Sequence, residues 1–121
     1  MLFRSRIAPD SFTIRSVLTE NRAYRVYSTS KRGEGKLAIT HVRVLKRKPK
    51  ATLVEVRLET GRKHQIRVHL AERGNPVVGD RFYGREAARA PRLALHGARL
   101  EFKHPKTGVR MSFESPAPGE W

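Results

Sequence analysis

The stretch from Thr60 to Asp80 concentrates side chains that could bind an anion. It holds a Thr-Gly turn, several basic residues and two histidines, and it closes on Gly-Asp. Arg62, Lys63 and Arg67 fall where a helix is predicted to begin, and the N–H groups of a helix N-terminus already favour negative charge. These residue types predict a phosphate or carboxylate site. A solvated, basic helix face is the commoner meaning of such a pattern when it is taken alone.

The histidines do not form a metal-binding pattern. His64 and His69 are five residues apart, which is about 140° around a helix, so they lie on different faces. The remaining histidines, His41, His96 and His104, have no ligand-like spacing, and the sequence has no cysteine. It also lacks a P-loop and a Gly-x-Ser-x-Gly elbow. We therefore expect no metal site.

The elements that must position this stretch are predicted to be mainly strands. Val54, Val56 and Leu58 alternate with charged residues, and this period of two predicts a half-buried strand over residues 52–59. Further strands are predicted over residues 23–27, 37–45, 93–102 and 109–113, with turns at 46–50 and 104–108. Most of the chain should therefore belong to a sheet.

One helix is predicted over residues 64–73. Ile66 and Leu70 fall on one face of it, and Gly74 ends the pattern. Strands followed by one helix and then by strands predict an α+β fold, with a mixed, mostly antiparallel sheet and one main helix packed on it. A length of 121 residues supports one core, so we expect a single domain over residues 1–121.

The charge of the chain narrows the class of its partner. Lys and Arg number 26 against 11 Asp and Glu, which gives a formal net charge of +15. Such a charge disfavours compaction by self-repulsion and attracts polyanions, most commonly nucleic acid. A membrane surface is the weaker alternative, since no run approaches the roughly 20 apolar residues of a spanning helix. Without cysteines or a secretory signal, we expect a cytoplasmic protein with no membrane partner.

The order of the residues closely resembles a known enzyme family. Residues 61–70 read GRKHQIRVHL, followed by GNPVVGD at 74–80 and by Tyr-Gly at 83–84. This string resembles the third signature motif of the RluA-type pseudouridine synthases, in the RsuA/RluA family. The strands before it and LHGARLEF at 95–102 extend the resemblance to about residues 35–118. A match that keeps its order and spacing is more specific than one motif.

The resemblance implies an activity and a fold. The family turns uridine in structured RNA, such as rRNA or tRNA, into pseudouridine by detaching uracil and rejoining it to the ribose through carbon. It uses neither a metal nor an organic cofactor, so none is expected here. The base must leave its stack, and a basic surface must hold the flanking phosphates. The chain should then form part of the pseudouridine synthase catalytic fold.

The resemblance also assigns residues to the site. Arg67 is implied to be the partner of the family's catalytic aspartate, because it aligns with the arginine after Gln-Ile, and Arg62 is the second choice. An opposite charge nearby keeps a carboxylate ionised. Leu95 would pack near the target base, while His64 and Gln65 would shape the pocket wall. The expected RNA-binding residues are Arg62, Lys63, His64, Gln65 and Leu95.

The sequence departs from the family at the catalytic aspartate. The family's His-Arg-Leu-Asp string does not occur in the 121 residues, and neither aspartate, Asp10 or Asp80, has matching neighbours. The strand whose tyrosine stacks on the base is also missing, since Tyr24 and Tyr27 lack its context. Lys63 replaces a small hydroxyl or amide residue, which should weaken helix capping. We therefore predict the C-terminal half of a synthase, inactive by itself.

Several explanations of the missing half stay open. The leading one is an incomplete reading frame of an ordinary synthase. A degenerate, non-catalytic RNA-binding module and a split enzyme completed by a chain that carries the aspartate are the others. A small ribosomal-type RNA-binding protein is the alternative from another class. Self-association through a sheet edge that lacks its neighbouring strands is also expected. The resemblance does not specify the target RNA or the uridine position.

Overall fold

The structure is a computed structural model, and it describes residues 2–4, 9–48, 51–84, 93–95, 97, 99–103, 106 and 110–114. Its elements in chain order are β1 (Leu2–Arg4), β2 (Ser11–Glu20), β3 (Val26–Ser28), β4 (Lys36–Arg47), β5 (Ala51–Leu58), α1 (Gln65–Glu72), β6 (Arg99–Lys103) and β7 (Arg110–Glu114). One sheet has the strand order β1-β5-β4-β2-β3, and β6 pairs with β7. Every described pair is antiparallel. The predicted α+β class is confirmed.

Strands β4 and β5 lie where they were predicted, but β4 is longer than expected. Lys46 and Arg47 pair with β5, so the prediction of a loop beginning at Lys46 is wrong. The register shifts between Val44 and Lys46, which marks a β-bulge that inserts one extra residue and lets the ladder continue. Leu45, within this irregularity, is 53% exposed. The remaining turn residues 49 and 50 lie outside the described residues.

The start of β3 and the residues before β6 differ from the predictions. Residues 23–25 form a turn rather than a strand, because the Asn21 side-chain oxygen accepts the N–H groups of Ala23 and Arg25 at 2.9 and 3.0 Å. Leu95 is likewise not in a strand, since β6 begins only at residue 99. Of the predicted turn at 104–108, only Lys106 is described, and it lies in a turn.

Helix α1 lies one residue inside each predicted end, and Gly74, with a φ of 88°, follows it as expected. The residue before the helix, His64, makes no side-chain capping hydrogen bond. No helix in the described part of the chain is long and apolar enough to cross a membrane.

The helix packs on one face of the sheet and forms the core there. Leu70 is fully buried, as the predicted apolar face requires, and Ile66 packs beside it. One core cluster comprises Val42, Val54, Leu70, Val77 and Ala94, and the other comprises Leu18, Val26, Ala38, Val68 and Tyr83. Burial of these apolar side chains supplies the main stabilisation of the helix on the sheet.

The opposite face of the sheet is polar. His41 of β4 contacts β2 and the residue that follows β5: its Nδ1 lies 2.8 Å from Thr13 Oγ1 and its Nε2 lies 2.6 Å from Glu59 Oε2. Arg43 and Glu55 pair beside it at 3.1 Å. These cross-strand pairs border a shallow groove of about 700 Å³. They stabilise the sheet modestly because water screens them.

Candidate functional site

Arg67 and Asp80 form a bidentate ion pair between the helix and the loop that follows it. Arg67 Nε donates to Asp80 Oδ2 at 3.0 Å, and Nη2 donates to Oδ1 at 2.9 Å. The Asp80 side chain has an exposure of 0%, whereas Arg67 retains 20%. Asp80 Oδ1 also accepts the N–H groups of Phe82 and Tyr83, each at 3.1 Å. A buried carboxylate thus fixes a partly exposed guanidinium.

The pair keeps both groups ionised. Burial opposes ionisation of Asp80, but the hydrogen bonds from Arg67 and from the backbone of Tyr83 and Phe82 outweigh it and hold the pKa of Asp80 below its usual value. The hydrogen bond to Asp80 raises the pKa of Arg67, although burial opposes it. Because its oxygens are enclosed and occupied, Asp80 is suited to position Arg67 rather than to accept a substrate proton.

The structure therefore gives Arg67 a carboxylate partner within the chain. Asp80 was not predicted to belong to the site, because the partner of Arg67 was expected outside these residues. A guanidinium has more N–H groups than the bidentate pair uses, and part of Arg67 reaches solvent. A second anion can therefore approach Arg67 from the exposed side. The predicted contact with an aspartate outside these residues stays a prediction.

His64 lies beside this pair, immediately before the helix. Its backbone is left-handed, with a φ of 54°, and its Nδ1 lies 2.7 Å from the Tyr83 hydroxyl. That hydroxyl also accepts the N–H of Val26 at 3.2 Å. Burial, followed by the charges of Arg67 and Lys63, lowers the pKa of His64. His64 is therefore neutral near pH 7 and can act as a hydrogen-bonding partner without adding charge.

Tyr83 connects two arginines. Its ring lies 5.1 Å from the Arg67 guanidinium carbon and 5.0 Å from that of Arg25. These distances are typical of cation–π contacts. The ring therefore fixes a second cation, Arg25, next to the Arg67 and Asp80 pair. Arg25 was not predicted as a site residue, because it is far from Arg67 in sequence and only the packing of β3 against the helix brings them together.

Arg62 and Lys63, both predicted to bind RNA, are exposed and tied to the sheet. Arg62 Nε donates to the carbonyl of Leu37 at 2.9 Å, and Lys63 Nζ lies 2.9 Å from a Glu20 carboxylate oxygen. Both side chains lie next to His64 at the start of the helix. The structure thus brings three of the predicted residues together with Arg67, and their contact with RNA stays a prediction.

Gln65 occupies a different position from its neighbours, because its amide is turned into the protein and is 2% exposed. Its Oε1 accepts from Thr60 Oγ1 at 2.7 Å and from the N–H of Arg62 at 3.0 Å. Its Nε2 donates to the carbonyl of Ile39 at 3.0 Å and to Thr40 Oγ1 at 2.9 Å. These bonds fasten the start of the helix to β4, which makes Gln65 a positioning residue.

From Thr40, a series of hydrogen bonds runs through the buried His69, which was not predicted as a site residue. His69 Nδ1 lies 2.7 Å from Thr40 Oγ1, and its Nε2 lies 2.8 Å from Ser16 Oγ. Ser28 Oγ lies 2.9 Å from Ser16 Oγ and 2.5 Å from Glu72 Oε1. The series links β2, β3 and β4 to both ends of the helix.

The direction of each hydrogen bond in this series follows from the carboxylate of Glu72 at its end. A carboxylate only accepts and a hydroxyl has one proton, so Ser28 donates to Glu72 and accepts from Ser16. His69 must then donate from Nε2 and accept at Nδ1. Burial lowers the pKa of His69, against the opposing charge of Glu72, which keeps the ring neutral as this order requires.

Leu95 is partly buried and packs against the core cluster that contains Leu70. The preceding residue, Ala94, donates its N–H to the carbonyl of Val78 at 2.8 Å. Its predicted place near the target base stays a prediction. In the described part of the chain, no three His, Asp or Glu side chains are grouped so that they could hold a metal ion.

Comparison with known proteins relates the chain to RNA-modifying enzymes. Residues 5–72 match the family described as RNA pseudouridylate synthase. The chain is 46% identical over 101 residues to ribosomal large subunit pseudouridine synthase D of Pseudomonas aeruginosa. This alignment covers 72% of this chain and 32% of that protein. The chain is 44% identical over 113 residues to an uncharacterised RNA pseudouridine synthase of Bacillus subtilis, covering 93% of this chain and 37% of that protein. The chain thus spans about a third of the length of these relatives.

Two solved structures are similar to the chain. Human RNA pseudouridylate synthase domain containing 1 matches with a TM-score of 0.81 and 29% identity, over 95% of this chain and 51% of that one. Human RNA pseudouridylate synthase domain containing 4 matches with a TM-score of 0.74 and 20% identity, over 98% of this chain and 56% of that one. The second similarity is one of fold alone.

Proposed function

We propose, because the chain belongs to the RNA pseudouridylate synthase family, that it forms one wall of a site that isomerises uridine to pseudouridine in structured RNA. The observation that carries this proposal is the Arg67 guanidinium, which a buried Asp80 fixes while one edge stays exposed. Such a group can hold a second carboxylate ionised and oriented at the reacting sugar. Arg67 would thus be the partner of the family's catalytic aspartate.

The remaining predicted residues have supporting roles in this proposal. Arg62 and Lys63 would hold phosphates that flank the target uridine, and neutral His64 would contact the flipped base or ribose. Gln65 would position this segment from within, and Leu95 would pack near the base. The proposal requires no metal or organic cofactor.

The aspartate itself is the part that we propose to come from elsewhere. The 121 residues contain no His-Arg-Leu-Asp string, and Asp80 is enclosed by Arg67 and two backbone N–H groups. We therefore expect these residues alone not to isomerise uridine. The aspartate would be supplied by a further segment of the same protein or by a second chain.

The substrate class proposed is rRNA or tRNA in the cytoplasm. The name of the Pseudomonas aeruginosa relative, a ribosomal large subunit pseudouridine synthase, supports rRNA, and the net charge of +15 suits any RNA.

The test is a complementation assay. RNA labelled with tritium at C5 of uridine releases tritium when the base is rejoined through that carbon. The 121 residues would be assayed alone and together with the part of the Pseudomonas aeruginosa relative that carries its aspartate motif. We expect tritium release only from the mixture, and we expect Arg67→Lys to reduce it about 100-fold or more. Arg15→Lys, on the outer sheet face, is the matched control.

Two results would count against the proposal in different ways. Tritium release by the 121 residues alone would remove the need for an outside aspartate. Full activity of the Arg67→Lys mixture would remove the role of Arg67.

The net charge favours a second candidate function, a non-catalytic RNA-binding module. With +15 on 121 residues, RNA binding that weakens steeply with salt is expected whether or not chemistry takes place. Salt-sensitive RNA binding without tritium release in any complementation would favour this alternative.

A further inference from the structure

Two aromatic side chains close to the candidate site are exposed to solvent: Tyr24 is 71% exposed and Phe82 is 44% exposed. Each is joined to the other by neighbouring residues of the chain, Arg25 beside Tyr24 and the pair Lys63 and His64. Arg25, next to Tyr24, lies 5.1 Å from the Phe82 ring centre, and Lys63 lies 5.4 Å from that of Tyr24. His64, next to Lys63, has its ring 6.3 Å from that of Phe82. We call the surface formed by Tyr24, Arg25, Lys63, His64 and Phe82 the aromatic platform.

Phe82 is held firmly in its exposed position. Asp80 Oδ1 accepts its N–H at 3.1 Å, and Arg25 Nη1 donates to its carbonyl at 2.7 Å. Tyr83 packs edge-on against its ring, with the ring centres 4.7 Å apart. A ring that is fixed in advance loses little conformational entropy when a ligand stacks on it. The Asp80 carboxylate that orients Arg67 therefore also positions this ring.

The exposed Tyr24 has a strained backbone conformation. Its φ is 61°, and the other described non-glycine residue with positive φ is His64, at 54°. Both belong to the aromatic platform. Asn21 maintains the turn through its bonds to the backbone of Ala23 and Arg25. Bulky residues rarely adopt this conformation, and such strain is concentrated at sites that bind ligands.

The charge of the aromatic platform indicates the sign of its ligand. Arg25 donates to a carbonyl oxygen and lies over aromatic rings, so these contacts leave its positive charge unneutralised. Lys63 is paired with Glu20, so Arg25 supplies most of the local excess. Flat apolar rings beside a cation match a nucleobase and its phosphate better than they match an apolar protein surface.

We infer that the aromatic platform stacks an unpaired RNA base that neighbours the target uridine, while Arg25 contacts its phosphate. This inference rests on the proposed function, since it takes RNA as the ligand, and it extends that function to a nucleotide outside the reacting position. Stacking on a ring requires no particular base. The platform therefore selects a single-stranded or looped RNA over a duplex, whose bases remain stacked on each other.

The test compares two RNA probes. One is a dye-labelled hairpin with an unpaired loop that contains uridine, and the other is a duplex of the same length and charge. Binding by the 121 residues is measured by fluorescence anisotropy. The variants are Phe82→Leu and Tyr24→Asn, and the control is Tyr27→Leu. Tyr27 is 39% exposed and, by strand alternation, lies on the opposite face of the sheet from the buried Val26.

We expect each platform variant to weaken hairpin binding about fivefold or more while duplex binding and the control stay unchanged. Tyr24→Asn separates binding from folding, because asparagine tolerates positive φ. Its urea midpoint should be equal to or higher than that of the parent although its RNA affinity falls. Hairpin affinity that survives both substitutions would overturn the inference. Equal losses on hairpin and duplex, which indicate a non-specific effect, would overturn it too, as would the absence of RNA binding.

The outcome can be separated from that of the proposed function. Anisotropy measures binding and does not require the aspartate, whereas tritium release requires the complete site. Loss of hairpin affinity in the platform variants, without tritium release in any complementation, would support the platform and refute the isomerase proposal. Tritium release from the complemented parent, together with unchanged hairpin binding by both variants, would do the reverse.

Discussion

Replacing Arg67 with methionine should destabilise the chain more than replacing Asp80 with asparagine, although both changes break the same ion pair. The reason is the unequal burial of the two side chains, at 20% exposure for Arg67 and 0% for Asp80. Arg67→Met leaves a carboxylate in the interior without its guanidinium. Asp80→Asn leaves a guanidinium that can turn toward water. The variant that strands the more deeply buried charge should cost more.

The magnitudes follow from the contacts that remain. Removing one partner of a buried ion pair costs about 3–5 kcal/mol. Arg67→Met should fall near the lower end, at about 3 kcal/mol, because Asp80 keeps the N–H groups of Phe82 and Tyr83. Asp80→Asn should cost about 1–2 kcal/mol, since it loses a charge-assisted hydrogen bond but no enclosed charge. Either loss is a substantial part of the free energy of unfolding of a typical domain, which is about 5–15 kcal/mol.

The stability deficits of both variants relative to the parent should shrink as the pH falls, but over different pH ranges. The folded pKa of Asp80 is depressed, so its contribution is complete above its unfolded pKa of about 3.9 and is lost as the pH falls through the folded value. The stability difference between the parent and Asp80→Asn should therefore shrink below about pH 4. In Arg67→Met the buried carboxylate should have a raised pKa. Its deficit should therefore diminish as the pH falls from neutrality and the carboxyl protonates.

Urea denaturation followed by circular dichroism, from pH 3 to pH 8, measures both effects. Arg43→Met is the matched control, because Arg43 pairs with Glu55 on the polar sheet face with side-chain exposures of 63% and 44%. It should cost less than about 1 kcal/mol. A greater loss in Asp80→Asn than in Arg67→Met would refute the reasoning from burial. Equal losses in all three variants would refute the importance of the pair itself.

Three further outcomes are expected. Gly35→Ala should cost about 3 kcal/mol in urea denaturation, because φ is +79° and a Cβ would lie 2.5 Å from a backbone oxygen. Gly33→Ala should cost only about 1–2 kcal/mol, because φ is +81° but the space around it is open. Equal costs would contradict the role of the close contact at Gly35. Gln65→Leu should lower the free energy of unfolding by about 2–4 kcal/mol, since buried partners lose their bonds; a loss below that of Gly33→Ala would be inconsistent with a positioning role. In nitrogen NMR spectra His69 should be neutral and protonated at Nε2, and a proton on Nδ1 would disprove the direction assigned to its hydrogen bonds. Because the folded pKa of His69 is lowered, its contribution to the free energy of unfolding should decline as the pH falls below about 6.5.

The sequence predicted the central strands β4 and β5, and it missed β1 and β2. β5 was predicted because apolar and charged residues alternate, and β4 was predicted because its residues favour strands. β2 was missed because Ser16 faces inward and Val17 faces outward, which breaks the alternation. Ser16 can face inward only because His69 reaches it across the fold. A buried polar pair of this kind leaves no periodic signal in one sequence.

The candidate site was predictable in its motif and not in its partners. The ordered resemblance over about residues 35–118 identified the family, and the match of residues 5–72 to RNA pseudouridylate synthases confirms that identification. Asp80 was not assigned to the site, since only the path of the loop after the helix brings it to Arg67. Gln65 was predicted to line the pocket, but its type and position could not show that four internal partners would enclose its amide.

The fixed proton order from Gln65 to Glu72 has a consequence for how this segment can evolve. Each group between Gln65 and Glu72 both receives and donates a hydrogen bond, so replacing one of them leaves two neighbours without a partner. A change of Ser16 to alanine, for example, leaves His69 Nε2 without its acceptor and Ser28 without its donor. We therefore expect that substitutions at one of these positions alone are poorly tolerated. Related proteins should either keep the whole set or replace it together.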